Sequence, residues 1–373
     1  MKARANKRSR GLSAVSATAL VLLLAALAAP TPAAAAPREF FGVAPQTPLV
    51  DADLERMRAG RIGSLRMLVP WAAVQPTSRS GYQWGGFDQV VAAAARRGIR
   101  ILPFVYGTPR WAARRETTLP VDSARQRRGW AGFLRSAVKR YGPHGDFWRL
   151  HWRGSRDPVP KLPLRDWQIW NEANFFYFAK PASPGRYARL LKQSNRVIKR
   201  TDPAAKTVLS GLFAEPNAKP PNAFHAVDFL RRLYRVRGIK ASFDGIALHP
   251  YAETAGDLRR MTEEVRQVAL DNHDPRAQLY LTEIGWGSDN NPNLVSFERG
   301  VGFQIREMRR AYAYMTRNRR RLNLHSTYWF TWKDIEGSCT FCDSTGFFRD
   351  APGLRPKPVW HAFVRISGGR ARP

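Results

Sequence analysis

The feature that most constrains the fold is an alternation of strand-like and helix-like segments, which runs from about residue 40 to a last helix beginning near Lys357. Short apolar runs predict the strands, and amphipathic segments between them predict the helices. The eight predicted strands cover residues 40–43, 64–69, 100–105, 166–170, 207–212, 243–248, 278–282 and 326–331. Eight strand-helix units in series predict an α/β chain folded as a (β/α)8 TIM barrel.

An open, doubly wound sheet is the alternative fold for such an alternation. The absence of a glycine-rich phosphate loop after the first predicted strand weighs against it. No linker or change of composition divides residues 37–373, so we expect one domain there. The long irregular stretch 143–163 joins a helix to the next strand, which places it on the barrel face opposite the site.

Two glutamates directly follow predicted strands. Glu172 comes after the fourth strand and Glu283 after the seventh, and 111 residues separate them, which is three units of 37 residues. Three steps around a ring of eight strands place two side chains across the barrel mouth, where sites on this architecture lie. Two carboxylates are the minimum equipment for cleaving a glycosidic bond. The competing interpretation is that they cap helices or form ion pairs in an arginine-rich chain.

Four short motifs carry a resemblance to a known group of enzymes. Trp170-Asn171-Glu172 resembles the acid/base signature of glycoside hydrolase clan A, which includes families five and thirty-nine, and residues 282–286 (TEIGW) are similar to the clan's nucleophile strand. Residues 249–251 (HPY) and the tail 347–350 followed by 357–358 also resemble clan elements. The resemblance covers about residues 41–363. Ala173 departs from it, because the clan commonly has proline there.

The resemblance implies a retaining glycoside hydrolase that acts by double displacement on a polysaccharide or oligosaccharide. Glu172 would be the general acid and base, and Glu283 the nucleophile. Asn171 would hydrogen-bond the sugar hydroxyl next to the reacting carbon. Neither the resemblance nor the spacing of the histidines implies a metal or another cofactor. The sugar and its linkage are left open.

A nucleophilic carboxylate must stay ionised, so it needs hydrogen-bond donors around it. Arg66, at the end of the second predicted strand, and His249 and Tyr251, after the sixth, are the candidates. Arg66 could instead form an ion pair at the barrel mouth that takes no part in chemistry. His249 could equally be a packed histidine without contact to a sugar.

Four tryptophans that follow predicted strands are candidate sugar platforms, because aromatic faces stack on the apolar faces of sugars. They are Trp71, Trp111, Trp286 and Trp332. Trp332 is expected to lie under the reacting sugar, and Trp71 and Trp111 are expected to form cleft walls. The alternative is that these side chains simply fill the core.

The first 36 residues have the layout of a secretory signal peptide. A basic start precedes an apolar run over residues 12–29, and the alanines at 33–36 offer a cleavage site. This predicts a secreted or cell-wall-associated protein. An uncleaved membrane anchor is the alternative, since the apolar run approaches the length needed to span a bilayer.

Cys339 and Cys342 are the only cysteines in the sequence. In an exported chain this spacing favours a local disulfide that staples a loop over half of a metal site or a redox motif.

The formal net charge of +32 falls to +27 without the five basic residues of the predicted signal. Because the basic residues are spread over the whole chain and no nucleic-acid-binding motif occurs, we expect no nucleic-acid partner. Weak electrostatic retention on anionic cell-wall polymers is expected.

A monomeric glycosidase is the leading hypothesis. A non-catalytic, wall-associated carbohydrate-binding barrel and a basic envelope protein bound to an anionic polymer are the alternatives, since a fold alone does not fix a function.

Overall fold

A computed structural model describes Met1 and residues 36–152, 158–290, 298–337, 342–349 and 353–372, apart from the side chains of residues 151, 152 and 342. The predicted signal peptide lies almost entirely outside these residues. Residues 36–373 form one compact unit. Among the described helices, none is both long enough and apolar enough to cross a membrane.

The sheet of this unit closes into a barrel. The strands are β1 (Phe41–Val43), β2 (Ser64–Pro70), β3 (Arg100–Tyr106), β4 (Asp166–Ile169), β5 (Lys206–Val208, resuming at Leu212–Phe213), β6 (Gly245–His249), β7 (Gln278–Ile284) and β8 (Leu324–Trp329). Each strand pairs in parallel with its neighbours in sequence, and β1 pairs with β8 to close the ring. The predicted (β/α)8 barrel is confirmed.

Helices connect the strands. In the described residues they are Asp51–Ala59, Trp71–Val74, Gly85–Arg96, Ala124–Tyr141, Asp146–Trp152, Pro184–Thr201, Ala226–Tyr234, Ala255–Asp271, Gly300–Asn318, Cys342–Thr345 and Pro358–Ser367. Local sequence determines where several of these helices begin. The Ser123 and Thr254 side chains each accept a hydrogen bond from the backbone N–H three residues on, in capping boxes, and these bonds satisfy N–H groups that have no partner within the helix.

Apolar side chains form two layers. Inside the barrel, alternate strand residues such as Leu102, Val208, Tyr280 and Tyr328 pack against one another. The opposite faces of the same strands pack against the helices and form the larger outer core. This alternation leaves only the ends of the barrel for polar side chains that face inward.

Two strands differ from their predicted limits. β5 was expected to run unbroken over 207–212, but it leaves the ladder after Val208. The backbone N–H of Ser210 donates to the Tyr187 hydroxyl at 2.6 Å instead of to a neighbouring strand. β8 ends at Trp329 rather than at Thr331. The early end of β8 brings Phe330 to the mouth of the barrel.

Candidate active site

Glu172 lies in the turn that follows β4. Its φ is 36°, and that of Trp170 is 75°. Residues other than glycine rarely adopt a positive φ, and such strained positions cluster at functional sites. Asn174 fixes the turn: its amide donates to the carbonyls of Phe213 and Phe224, both at 2.7 Å, and accepts from the Phe213 N–H at 3.0 Å. The turn that carries Glu172 is therefore held against β5 and the loop that follows it.

Arg66 of β2 connects the two sides of the mouth. Its Nη1 donates to Oε1 of Glu283 at 2.5 Å, and its Nη2 donates to Oδ1 of Asn171 at 2.6 Å. Its Nε donates to Oε1 of Gln168 at 2.7 Å. The guanidinium lies 4.0 Å from the centre of the Phe104 ring. Five N–H donors in a planar fork allow arginine to hold three acceptors at once.

Tyr251 and His249 complete the cluster. The Tyr251 hydroxyl donates to Oε2 of Glu283 at 2.7 Å. Nδ1 of His249 lies 2.7 Å from Oε1 of Glu172 and 3.6 Å from Oε2 of Glu283. The imidazole fits only because Gly211 has no side chain, since a Cβ there would lie 1.8 Å from Nε2.

The two carboxylates are close together. One oxygen of Glu172, one of Glu283 and one nitrogen of His249 all lie within 4.8 Å of one another. These three are the group of donors among the described residues that could hold a metal ion. Arg66, Tyr251 and the imidazole already bond the carboxylates, so the cluster is explained without an ion. The expectation that no metal takes part stays a prediction.

Burial sets the electrostatics of this cluster. It raises the pKa of Glu172 well above its ordinary value, and the negative charge of Glu283 raises it further. Burial also raises the pKa of Glu283, but Arg66 and Tyr251 oppose that rise. Burial, together with the positive charge of Arg66, lowers the pKa of His249 well below its ordinary value. Of the two carboxyls, Glu172 therefore holds its proton more tightly, Glu283 is the one whose ionised form Arg66 and Tyr251 stabilise, and the imidazole favours its neutral form.

Three of the predicted tryptophans lie elsewhere. Trp71, Trp286 and Trp332 are at most 1% exposed. Trp71 packs among other rings between barrel and helices, and the Trp286 indole donates to the Glu253 carbonyl at 3.2 Å. The Trp332 indole donates to Asp53 at 2.8 Å. The expectation that these three rings face a sugar is therefore wrong, because each fills the core.

Trp111 remains partly exposed. Its indole N–H donates to the Gln75 carbonyl at 2.9 Å, and the Arg125 guanidinium lies over its ring. It belongs to the loop that follows β3, at the mouth end of the barrel. Its place in a cleft wall stays a prediction.

Sequence reasoning missed Gln168, Phe330 and Phe213. Gln168 lies two residues after Asp166 on β4, so the two side chains share one face of the strand. Strand periodicity could therefore have placed Gln168 inside the barrel. Phe330 lies 5.9 Å, ring centre to ring centre, from Tyr251. It takes the position at the end of β8 that had been expected of Trp332. No signal in the sequence showed that β8 would end one residue before it.

A row of aromatic rings leads from the surface to the cluster. The Tyr177 ring stacks on Phe176 at 4.4 Å, and Phe176 contacts Phe175 at 5.1 Å. Phe175 stacks on Phe213 at 5.4 Å, and Phe213 lies 6.1 Å from Tyr251. Tyr177 is 64% exposed, so the row begins in solvent and ends at the residue that bonds Glu283. The aromatic loop after β4 thus borders the mouth.

The predicted disulfide falls outside the described residues, since neither Cys339 nor the side chain of Cys342 is among them. It stays a prediction.

Fold and site together define a (β/α)8 barrel with a buried carboxylate pair at the carboxyl ends of β4 and β7. No protein-family model and no curated protein sequence matches this chain. Solved structures do match. A family 39 glycoside hydrolase from Bacteroides cellulosilyticus has a TM-score of 0.64 at 20% identity, over 89% of this chain and 64% of that one.

A glucosidase from Croceicoccus marinus gives a TM-score of 0.62 at 15% identity, over 90% of this chain and 69% of that one. A monomeric beta-xylosidase from Caulobacter crescentus gives 0.60 at 17% identity, over 88% and 68%. The chain thus spans about two thirds of the length of these structures. At such identities the likeness concerns the fold, and for the fold the resemblance to clan A is confirmed.

Proposed function

We propose that this chain is a glycoside hydrolase that cleaves O-glycosidic bonds with retention of configuration. The observation that carries the proposal is the carboxylate pair, with oxygens of Glu172 and Glu283 within 4.8 Å of each other. Retaining glycosidases hold their carboxyl groups about 5–5.5 Å apart, whereas inverting enzymes need about 6.5–9.5 Å to admit a water molecule. The glycosidases among the structural neighbours also support the reaction class.

In the first step Glu283 attacks the anomeric carbon. Arg66 and Tyr251 donate to both of its oxygens, which keeps the carboxylate ionised and oriented. As the new carbon–oxygen bond forms, the glycosidic bond breaks, and Glu172 gives its proton to the departing oxygen. The raised pKa of Glu172 keeps that proton on the carboxyl to a higher pH than in an exposed glutamate. A covalent glycosyl-enzyme results.

In the second step water displaces Glu283. Glu172, now ionised, accepts a proton from the water, whose oxygen attacks the anomeric carbon. The neutral His249 lies 2.7 Å from Glu172, where one proton shared between Nδ1 and Oε1 keeps that carboxyl oriented. Arg66 holds Oδ1 of Asn171, so the amide NH2 is the group that Asn171 presents to a sugar hydroxyl.

A panel of aryl glycosides tests the proposal, with glucosides, xylosides, mannosides, galactosides and arabinosides as substrates. We expect the wild type to release the phenol from at least one of them. NMR of the product anomer that forms first should show that the anomeric configuration is retained. Glu283→Gln should abolish release while the circular dichroism spectrum stays unchanged. If the wild type binds glycans but turns none over, the protein is the non-catalytic carbohydrate-binding barrel instead.

We further propose that the chain is exported and acts as a monomer with weak retention on anionic wall polymers. The basic and apolar pattern of residues 1–36 supports export, and the net charge of +27 that remains without the predicted signal supports retention. The monomeric beta-xylosidase among the structural neighbours supports a monomer. Fractionation of the producing cells, size-exclusion chromatography and salt elution from isolated walls test the three statements separately.

A further inference from the structure

Three arginines follow one another closely in the loop after β3. Arg110, Arg114 and Arg115 are exposed, and with Thr118 they line a cavity of about 450 Å³ that contains no acidic side chain. The contact between Nη1 of Arg110 and the Arg114 carbonyl, at 3.5 Å, is long. Within the described chain none of the three guanidinium groups forms an ion pair.

Several exposed arginines elsewhere lie beside carboxylates. Arg260 contacts Glu215 at 2.9 Å and Glu264 at 3.3 Å, and Arg321 contacts Glu263 at 2.6 Å. Like charges in a cluster repel one another, so three arginines without a carboxylate contribute nothing to folding through charge. What sets these three arginines apart is that they line one cavity together and that no acidic side chain lines it with them.

The loop holds the cluster in a defined place. The Thr108 N–H donates to the Glu116 carbonyl at 2.9 Å, and its hydroxyl donates to the Thr118 carbonyl at 2.6 Å. The Lys180 N–H donates to the Thr117 carbonyl at 3.2 Å and joins the loop to the one that follows β4. That second loop also contains Glu172 and the aromatic row. The arginines therefore lie at the mouth end of the barrel, on the side of the proposed proton donor.

We propose that Arg110, Arg114 and Arg115 form a subsite for an anionic substituent of the glycan, a carboxylate or a sulfate ester. Guanidinium groups bind both through paired N–H donors. The substrate class is then an acidic polysaccharide or oligosaccharide. Its charged group binds on the leaving-group side, since Glu172 protonates the departing oxygen. This inference rests on the proposed function for the position of the bond that is cleaved.

The test measures binding to Glu172→Gln protein, which retains the site and should cleave oligosaccharides far more slowly than the wild type. Three probes are used: a neutral xylo-oligosaccharide, an oligosaccharide containing hexuronic acid, and an O-sulfated oligosaccharide. Calorimetry measures the affinity of each probe, first for this protein and then for a variant that also carries Arg110→Gln, Arg114→Gln and Arg115→Gln. The matched control adds Arg200→Gln, Arg235→Gln and Arg237→Gln, which remove the same charge near the carboxyl ends of helices 184–201 and 226–234. These helix ends lie away from the mouth.

We expect an acidic probe to bind more tightly than the neutral one, and the loop variant to lose about tenfold in affinity for it, as three exposed charge contacts imply. Added salt should weaken the binding of the acidic probe but not that of the neutral one. The acidic probe that binds more tightly than the neutral one identifies the substituent as a carboxylate or a sulfate ester. The inference is overturned if neither acidic probe binds more tightly, or if the control variant loses as much as the loop variant. Failure of the wild type to cleave any glycoside would instead overturn the proposed function.

Discussion

The two ends of the barrel contain similar side chains in different surroundings. At the mouth, His249 and Tyr251 contact a carboxylate pair, each with a shortest distance of 2.7 Å. At the opposite end, Tyr280 donates to Asp166 at 3.3 Å, and His325 lies 3.7 Å from the same carboxylate. We call this second group the lower cluster. It borders a cavity of about 650 Å³ that four arginines and one lysine also line.

Burial and a second carboxylate distinguish the mouth. The side chains of Glu172 and Glu283 are 7% and 10% exposed, whereas those of Asp166 and His325 are 22% and 29% exposed. Water therefore screens the lower cluster, which contains one carboxylate rather than two. An acid, a histidine and a tyrosine are thus not sufficient for a glycosidase site. A second carboxylate within reach, buried beside an arginine, is what the mouth adds.

Breaking the carboxylate pair should have the largest effect. Glu283→Gln removes the nucleophile, so kcat should fall by more than the roughly 10⁴-fold that a proton-transfer group contributes at most. Glu172→Gln should cost about 10²- to 10⁴-fold with poor leaving groups and less with good ones. Asp166→Asn, in the lower cluster, is the control and should leave kcat/KM unchanged. An equal loss in that control would remove the contrast between the two ends.

Arg66→Lys tests the fork that joins both sides of the mouth. Lysine keeps the charge but does not reach Glu283, Asn171 and Gln168 together. We expect kcat to fall by about 10²-fold, comparable to the loss of one donor at a transition-state charge. Steady-state kinetics on the best aryl glycoside measures it. A rise in KM alone would show that Arg66 binds the substrate equally in the ground state and the transition state.

The pH dependence of folding stability tests whether the Glu172 carboxyl at the mouth is as deeply buried as the structure indicates. Folded protein holds the pKa of Glu172 well above its ordinary value of 4.5. Unfolded chains release this proton near the ordinary value, so the stabilising contribution is full below it and is lost as the pH rises through the folded-state value. Glu172→Gln should therefore lose less stability than the wild type between pH 4.5 and neutrality. Melting temperatures across this range measure it, and parallel curves would contradict it.

The smallest effect should come from His325→Ala in the lower cluster. The ring stacks on Tyr280 with centres 4.5 Å apart, and its contact with Asp166 is long and partly exposed. We expect the free energy of unfolding to fall by about 1 kcal/mol or less, with kcat/KM unchanged. Urea denaturation provides the measurement. A loss of activity here would mean that the lower end takes part in function.

The sequence predicted the barrel because each strand and helix carries its own apolar period. It also predicted which residues gather at the mouth, because strand ends of a parallel barrel meet there and His249 and Tyr251 end or follow a strand. Arg66 was expected at the end of β2 but is its third residue, and its long side chain reaches Glu283 from there. The prediction that Trp71, Trp286 and Trp332 face a sugar was wrong for a physical reason. An aromatic ring after a strand can turn toward the mouth or back toward the helices, and local sequence does not decide between them. Trp332 turned back to Asp53, a contact 279 residues away.

The measurement that tests the central claim most directly is covalent trapping of the proposed intermediate. The wild type is incubated with the activated 2-deoxy-2-fluoro form of a sugar that it hydrolyses, and the protein is then digested and mapped by mass spectrometry. Our account predicts one glycosyl group per chain, attached to the peptide that contains Glu283. A label on another residue, or no label together with a product of inverted configuration, would contradict it.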